Sequence, residues 1–278
     1  MRVLAKDRAD LIEALVAETD LGRVTAGLLE KDEHLTDALR AVFALEFECV
    51  QFVFCGGTSL AKAYGLIERM SEDADIKMVL TESGRQLSRT SLRRYLGDEV
   101  RARVAQALSG IGLVEERDKA VSFNEHRYFH SQWMYERSYP ETTGLRPSLQ
   151  LELTLCKPAL PVERTSLHAL ADRFAGHSGA SFDVSTLSVA ETQSEKVLSF
   201  LRRFAQHRSG QMQGAWLRRA LHIRAQPRTG GRQCTGFCRA GAERRRGVRH
   251  AAARFCCRPI GSHGEGPGPG PRGRAEPG

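Results

Sequence analysis

The stretch that most constrains this chain is Gln51 to Leu80, QFVFCGGTSLAKAYGLIERMSEDADIKMVL. Gln51 to Cys55 is short, apolar and aromatic, and it stops at Gly56-Gly57, which reads as a strand ending in a turn. Thr58 or Ser59 then caps a helix expected to run to about Glu68, with Leu60, Tyr64 and Ile67 facing inward. Met70 to Asp73 turns the chain. Ala74 to Leu80 sets Ile76, Met78 and Leu80 against Asp75, Lys77 and Val79, the period-two pattern of a strand with one apolar face.

The flanking segments fit the same layered design. Residues 8–19 place Leu11, Ile12, Leu15 and Val16 at helical spacing, and a second helix is expected from about Glu33 to Phe47, with Leu35, Leu39, Val42 and Phe43 on one side. Asp32 is the expected N-cap, and the triplet Glu30-Lys31-Asp32 reads as a solvated helix start. Ser83 to Gly110 is helical, with Leu87, Leu92, Leu96, Val100, Val104 and Leu108 as a buried stripe. Val114 to Tyr139 interleaves Phe123, His126, Arg127, Tyr128, Phe129, His130, Trp133 and Tyr135, a pattern open to two readings: stacking on nucleobases, or a hairpin with one packed face. Leu149 to Leu155 alternates leucine with Gln150, Glu152 and Thr154, which centres Glu152 on the polar face of a strand. Ser185 to Ala205 reads as a capped helix with Val197, Leu198 and Leu201 at core spacing.

Charge divides the chain rather than characterising it. From Leu217 onward there are 14 Arg, no Lys and 3 Glu, a net of +11 within a total of +8, which leaves residues 1–216 at −3. The basic balance belongs to the tail and the body is mildly acidic, so nucleic-acid binding does not follow from the total charge. Cys49, Cys55 and Cys156 sit in apolar contexts as reduced core residues, whereas Cys234, Cys238, Cys256 and Cys257 lie in the tail. No apolar run has the length of a membrane span and no secretory segment opens the chain, so the expected location is cytoplasmic.

The central unit suits phosphoryl or nucleotidyl transfer. Two carboxylates two residues apart on a strand share a face, so Asp73 and Asp75 can ligate one Mg²⁺, and Glu152 can add a third oxygen ligand from another strand. Gly56-Gly57 lets backbone approach the phosphates of an NTP closely, and the hydroxyls of Thr58 and Ser59 can join the helix N-terminus there. Lys62, one turn in, either reaches a phosphate or is simply exposed. The Gly-Lys-Ser/Thr of a Walker A loop is missing.

The stretch GGTSLAKAYGLIERMSEDADIKMVL closely resembles the signature of the AbiEii/AbiGii group of nucleotidyltransferase toxins, within the polymerase-β-like nucleotidyltransferase superfamily. Gly56, Gly57, Thr58, Leu60 and Lys62 match its first motif. Arg69, Ser71, Asp73 and Asp75 match its second, with Ile76 standing for a leucine. Glu30-Lys31-Asp32, the LELTL strand with Glu152, and Glu195-Lys196 followed by Arg202-Arg203 are similar to further segments of that group, over roughly residues 8–206. The resemblance implies an α/β (α+β) core with a small mixed sheet that binds Mg²⁺ and an NTP. It further implies transfer of NMP to an acceptor, with tRNA the expected one, and an antitoxin as cognate partner in a type IV toxin–antitoxin or abortive-infection pair. Asp73, Asp75 and Glu152 would surround the metal, Gly57 and Thr58 would hold the triphosphate, and Lys196 would contact phosphate.

The end of the chain departs from that pattern, because the group continues with an aspartate-bearing segment and no aspartate follows Asp183 here. Three readings of the tail stand: an Arg/Gly-rich disordered arm that binds RNA, a zinc site from Cys234, Cys238, His250 and Cys256-Cys257, and an out-of-frame continuation beginning near Gly210 to Leu217. The expected organisation is N-terminal helices over 1–48, a nucleotidyltransferase core over 49–160, a truncated helical part over 161–214 and a disordered tail over 215–278. An inactive remnant that binds nucleotide or antitoxin is the alternative to an active enzyme, and an RNA-binding protein acting through its tail is the second.

Overall fold

The computed structural model describes residues 1–18, 21–22, 24–66, 73–140, 145–176 and 179–209. Backbone contacts divide the chain into units Met1–Leu217 and Arg218–Gly278, and only the first holds described residues. The readings of the tail, and Arg69 and Ser71 of the second motif, lie outside the described residues.

The first unit is built on an eight-stranded mixed sheet. Its strands are β1 (Val50–Cys55), β2 (Asp73–Leu80), β3 (Val114–Glu115), β4 (Val121–Phe123), β5 (Tyr128–Met134), β6 (Ser148–Leu155), β7 (Glu163–Leu167) and β8 (Phe182–Thr186). They run in the order β3-β5-β6-β2-β1-β8-β7, with β4 paired to β5. β1 and β2 are antiparallel, while β6 adds to β2 in parallel. The sheet is mixed, as expected, but β7 and β8 widen it beyond the small one anticipated.

One sheet face carries the main core. Ala74, Ile76 and Met78 of β2, Leu149, Leu151 and Leu153 of β6, and Phe129 and Trp133 of β5 pack there against helices α2 (Ala26–Phe43), α5 (Arg89–Arg94) and α6 (Ala102–Gly110). The stripe Leu92, Leu96, Val100, Val104, Leu108 steps by four residues throughout, and all five are buried. Each such step drifts by about 40° on an α-helix. The stripe stays on the core because Tyr95–Arg101, between α5 and α6, is π-helical, and the wider turn holds the drift back. Leu87, half-buried, packs at the edge of this core beyond the short helix α4 (Glu82–Gln86). Helix α1 (Lys6–Glu18) buries Ile12 and Leu15 in a smaller cluster with Leu29 and Ala171, while Val16 is exposed.

Helix α2 begins seven residues before the expected start, at Thr25, whose hydroxyl accepts the Leu28 N–H at 3.3 Å. Asp32 is therefore not the N-cap, and Glu30-Lys31-Asp32 is not solvated. All three are buried because other segments bring partners to them. Glu30 accepts the Ser138 N–H at 2.6 Å, and Lys31 donates to the Arg146 carbonyl at 2.9 Å. Asp32 takes the Lys62 ammonium at 2.6 Å and the Leu170 N–H at 2.6 Å, the latter at the start of α7 (Leu170–Phe174). Removing one member of a buried pair leaves the other charge uncompensated, at a cost of roughly 3–5 kcal/mol. Asp32→Ala is thus expected to lower stability by about 3 kcal/mol. The apolar pair Asp32→Leu/Lys62→Met should recover most of that, measured by urea midpoints; equal loss in both variants would contradict it.

Helix α8 (Val189–Arg208) also differs from expectation. Residues 182–186 form β8 against β1 and β7, and the helix begins only after Ser188, whose hydroxyl accepts the Glu191 N–H at 3.3 Å. Val197, Leu198 and Leu201 share a face at core spacing, yet each is exposed. Helical spacing decides which residues share a face, not whether another element covers it.

Candidate active site

On the sheet face opposite the main core, alternation places Asp73, Asp75 and Lys77 of β2 together. The parallel β2–β6 register sets Asp75 beside Glu152 and Asp73 beside Gln150. Glu152 is thus the neighbour of Asp75 across one strand spacing. Burial, together with the charges of Glu152 and Asp73, pushes the Asp75 carboxyl up to about 7, against an opposing pull from Lys196. Lys196 lies on the exposed side of α8, near enough to act on Asp75 through its charge.

β1 ends directly over this pair. Gly56 has φ +80°, and a Cβ there would overlap the Asp75 carboxylate, so the backbone closes on the acid as only glycine allows. Gly57 follows in α3 (Gly56–Lys62), seven residues long rather than reaching Glu68. Gly65, at φ +61°, ends it, with the Leu66 N–H closing on the Leu60 carbonyl at 2.9 Å. The two hydroxyls of the turn are committed to backbone. Thr58 donates to the Asp73 carbonyl, and Ser59 donates to the Gly56 carbonyl at 3.0 Å, both side chains fully buried. Thr58 fastens the turn to β2 and Ser59 closes the turn on itself, so neither offers its proton outward. Lys62 is not exposed: its ammonium, held by Asp32 and by the Thr36 hydroxyl at 2.8 Å, points into the α2 network.

Several groups at the site were not singled out from the sequence for it. Arg146 donates to Asp73 Oδ1 at 2.9 Å, and its carbonyl is the acceptor of Lys31, so the buried triplet of α2 reaches the site through this residue. Arg146 sits in a loop with no local pattern to mark it. Lys77 is buried and pairs with Glu191 at 3.4 Å and with Glu195, which clamps α8 onto β2 and fixes where Lys196 projects. Its place two residues after Asp75 was the available signal. The phenol of Tyr128 on β5 is pushed up to about 12, by burial first and by the Glu152 charge second. His130 Nδ1 lies 3.6 Å from Glu152 Oε1.

Asp73, Asp75 and Glu152 share one sheet face, Asp75 and Glu152 adjacent across β2 and β6, and their oxygens are of the hard kind that a divalent cation takes. They do not form a finished cage: among the described residues no three His, Cys, Asp or Glu converge as metal ligands. Asp73 is turned to Arg146, a positive partner that a cation would have to displace or share.

The mixed sheet thus carries carboxylates on neighbouring strands, with a Gly-Gly turn closed over Asp75. Residues 37–213, more than half of the chain, match the family model of the nucleotidyl transferase AbiEii toxin of type IV toxin–antitoxin systems, and the chain belongs to that family. No curated protein sequence matches it. Among solved structures it is similar to MenT4, a nucleotidyltransferase toxin from Mycobacterium tuberculosis H37Rv, with 18% identity and a TM-score of 0.40 over 70% of this chain. The chain spans 58% of the length of MenT4. The family assignment rests on the family model alone.

Proposed function

We propose that this chain is a Mg²⁺-dependent nucleotidyltransferase toxin that moves NMP from an NTP to a hydroxyl of a tRNA acceptor, within a toxin–antitoxin or abortive-infection pair, in the cytoplasm and with an antitoxin as partner. The observation that carries the reading is the placement of Asp75 beside Glu152, with the Gly56 turn closed over Asp75 and its carboxyl raised by burial and then by its acidic neighbours. Among the described residues no helix is long and apolar enough to cross a membrane.

Asp73, Asp75 and Glu152 would hold Mg²⁺, which supplies neutralisation of the triphosphate and polarises the α-phosphoryl oxygen. The chain's own groups position the rest. Gly56 and Gly57 bring backbone N–H groups close to phosphate oxygens, and the closure of Thr58 on Asp73 keeps that turn in register with the acids. Lys196, presented by a helix that Lys77 clamps, adds a positive charge beside the same phosphates. As the alternative to ligating the metal, Glu152, beside His130 on the β5 side, would take the proton of the acceptor hydroxyl.

Two measurements test this reading. Calorimetric titration with Mg²⁺-NTP is expected to detect binding that the Asp73→Ala/Asp75→Ala double variant loses. Incubation of the chain with labelled NTPs and total RNA is expected to label a tRNA-sized band. Unchanged nucleotide binding in the double variant sinks the proposal. Binding without any transfer would favour an inactive remnant, the reading that the missing aspartate after Asp183 supports.

A further inference from the structure

The aromatic interleaving of residues 121–135 has a use that the carboxylate site does not absorb. We infer that Phe123 and Tyr128 form a stacking platform for the terminal base of a single-stranded RNA acceptor, immediately beside Glu152. This inference rests on the nucleotidyl-transfer reading above.

The β4–β5 register pairs Phe123 with Tyr128, and the next pairing sets Tyr128 against Thr154 and His130 against Glu152. Phe123 and Tyr128 therefore share the sheet face of Asp75 and Glu152, opposite the face on which Phe129 and Trp133 enter the core. Their rings stack at 6.0 Å between centroids with planes 24° apart. Phe123 is 59% exposed, so one flat apolar surface of the pair is offered to solvent. The pair adjoins the site, since the β5–β6 register sets Tyr128 opposite Thr154, one same-face step along the ladder from Glu152.

The hairpin holds this pair rigidly. Asn124, Glu125 and His126 all have positive φ, a backbone that side chains disfavour by roughly 1–2 kcal/mol each. The turn persists because its tip is fastened: Ser122 bonds His126 at 2.8 Å, His126 stacks on Phe129, and Arg89 pairs with Glu125 at 2.6 Å. Arg89, Arg93 and Arg127 all act on Glu125 through their charge, so the tip carries more positive than negative groups. A flat aromatic surface next to arginines suits a base and the phosphate that follows it.

In-line displacement decides which base this is. The attacking hydroxyl and the departing pyrophosphate lie on opposite sides of the α-phosphorus. The Gly56-Gly57 turn flanks Asp75 on the β1 side, whereas β6 and β5 lie on the other. A triphosphate seated at the turn therefore leaves the β5 side to the acceptor.

The test uses the full chain and a 5′-fluorescein-labelled 12-nucleotide single-stranded RNA with a free 3′ end, read by anisotropy, with Mg²⁺-ATP binding measured in parallel by calorimetry. Phe123→Ala is expected to weaken RNA binding roughly tenfold to a hundredfold. Phe123→Trp should retain binding within about threefold, since stacking accepts any flat ring. An RNA whose last nucleotide is abasic should bind the unaltered chain as weakly as the normal RNA binds Phe123→Ala, with no additional loss when both changes are combined. Equal RNA binding by Phe123→Ala and the unaltered chain overturns the inference, as does indifference to the abasic end. So does a loss confined to ATP binding, which would assign the platform to the NTP base. Absence of RNA binding by the unaltered chain also overturns it, while ATP binding that depends on Asp73 and Asp75 leaves the nucleotidyltransferase reading standing.

Discussion

Replacing Asp75 with Asn is expected to stabilise the metal-free chain at pH 8 while abolishing Mg²⁺-dependent NTP binding. The folded state keeps the Asp75 proton up to about pH 7, whereas the unfolded chain releases it near the ordinary value of 3.8. Between those values the folded chain binds more protons than the unfolded one, so its stability falls as pH rises through the window. Three pH units correspond to about 4 kcal/mol at full effect, and partial solvent access brings the expected loss to roughly 2–4 kcal/mol. Asn carries no charge to repel Glu152 and Asp73, so the variant should lose this pH dependence. Urea denaturation in EDTA at pH 5 and pH 8 measures the difference. The same variant removes the central oxygen charge from the carboxylate group, and transfer should fall on the order of a thousandfold, as several kcal/mol of lost charge stabilisation implies. Parallel stability curves for the two proteins between pH 5 and 8 would refute the account of Asp75.

Gly56→Ala is expected to damage both fold and site, through geometry instead of charge. At φ +80° a side chain costs roughly 1–2 kcal/mol, and here the added methyl overlaps the Asp75 carboxylate, which must move. The total loss of stability is expected to be about 2–4 kcal/mol, with Mg²⁺-NTP binding weakened by at least about a hundredfold because a misplaced reacting group costs that much. Gly110, at the end of α6, has open space where its Cβ would stand, so Gly110→Ala serves as the control and should leave binding intact. If Gly56→Ala bound Mg²⁺-NTP as the unaltered chain does, the close approach of turn and acid would have no functional role.

Much of the site was legible because its determinants are local. The β1–turn–β2 unit follows from an apolar run, a Gly pair and a period-two pattern, and the structure has it with a shift of one residue at the start of each strand. The helix between them is shorter than expected because Gly65 adopts a left-handed conformation and ends it. Other expectations failed for a common reason. The triplet Glu30-Lys31-Asp32 looked like a solvated start because charged residues usually are, and it is buried because Ser138, Arg146 and Lys62 arrive from elsewhere to satisfy it. Lys62 was weighed for phosphate and is held by one of those same acids. Ser185 to Ala205 reads as one helix in the sequence, but strand pairing with β7 and β1 claims Ser185 and Thr186.

By itself the sequence determined that Asp73 and Asp75 share a face, that Glu152 points away from its leucines, and that a Gly pair precedes the acids. These are consequences of the two-residue period of a strand and of the backbone freedom of glycine, both local. The tertiary structure alone decided that β6 lies parallel beside β2, which sets Glu152 next to Asp75. It likewise decided that Arg146 faces Asp73, and that Lys77 draws α8 over the sheet so that the Lys196 charge acts on Asp75. Strand order and helix docking depend on contacts between segments far apart in the chain, and no local period encodes them.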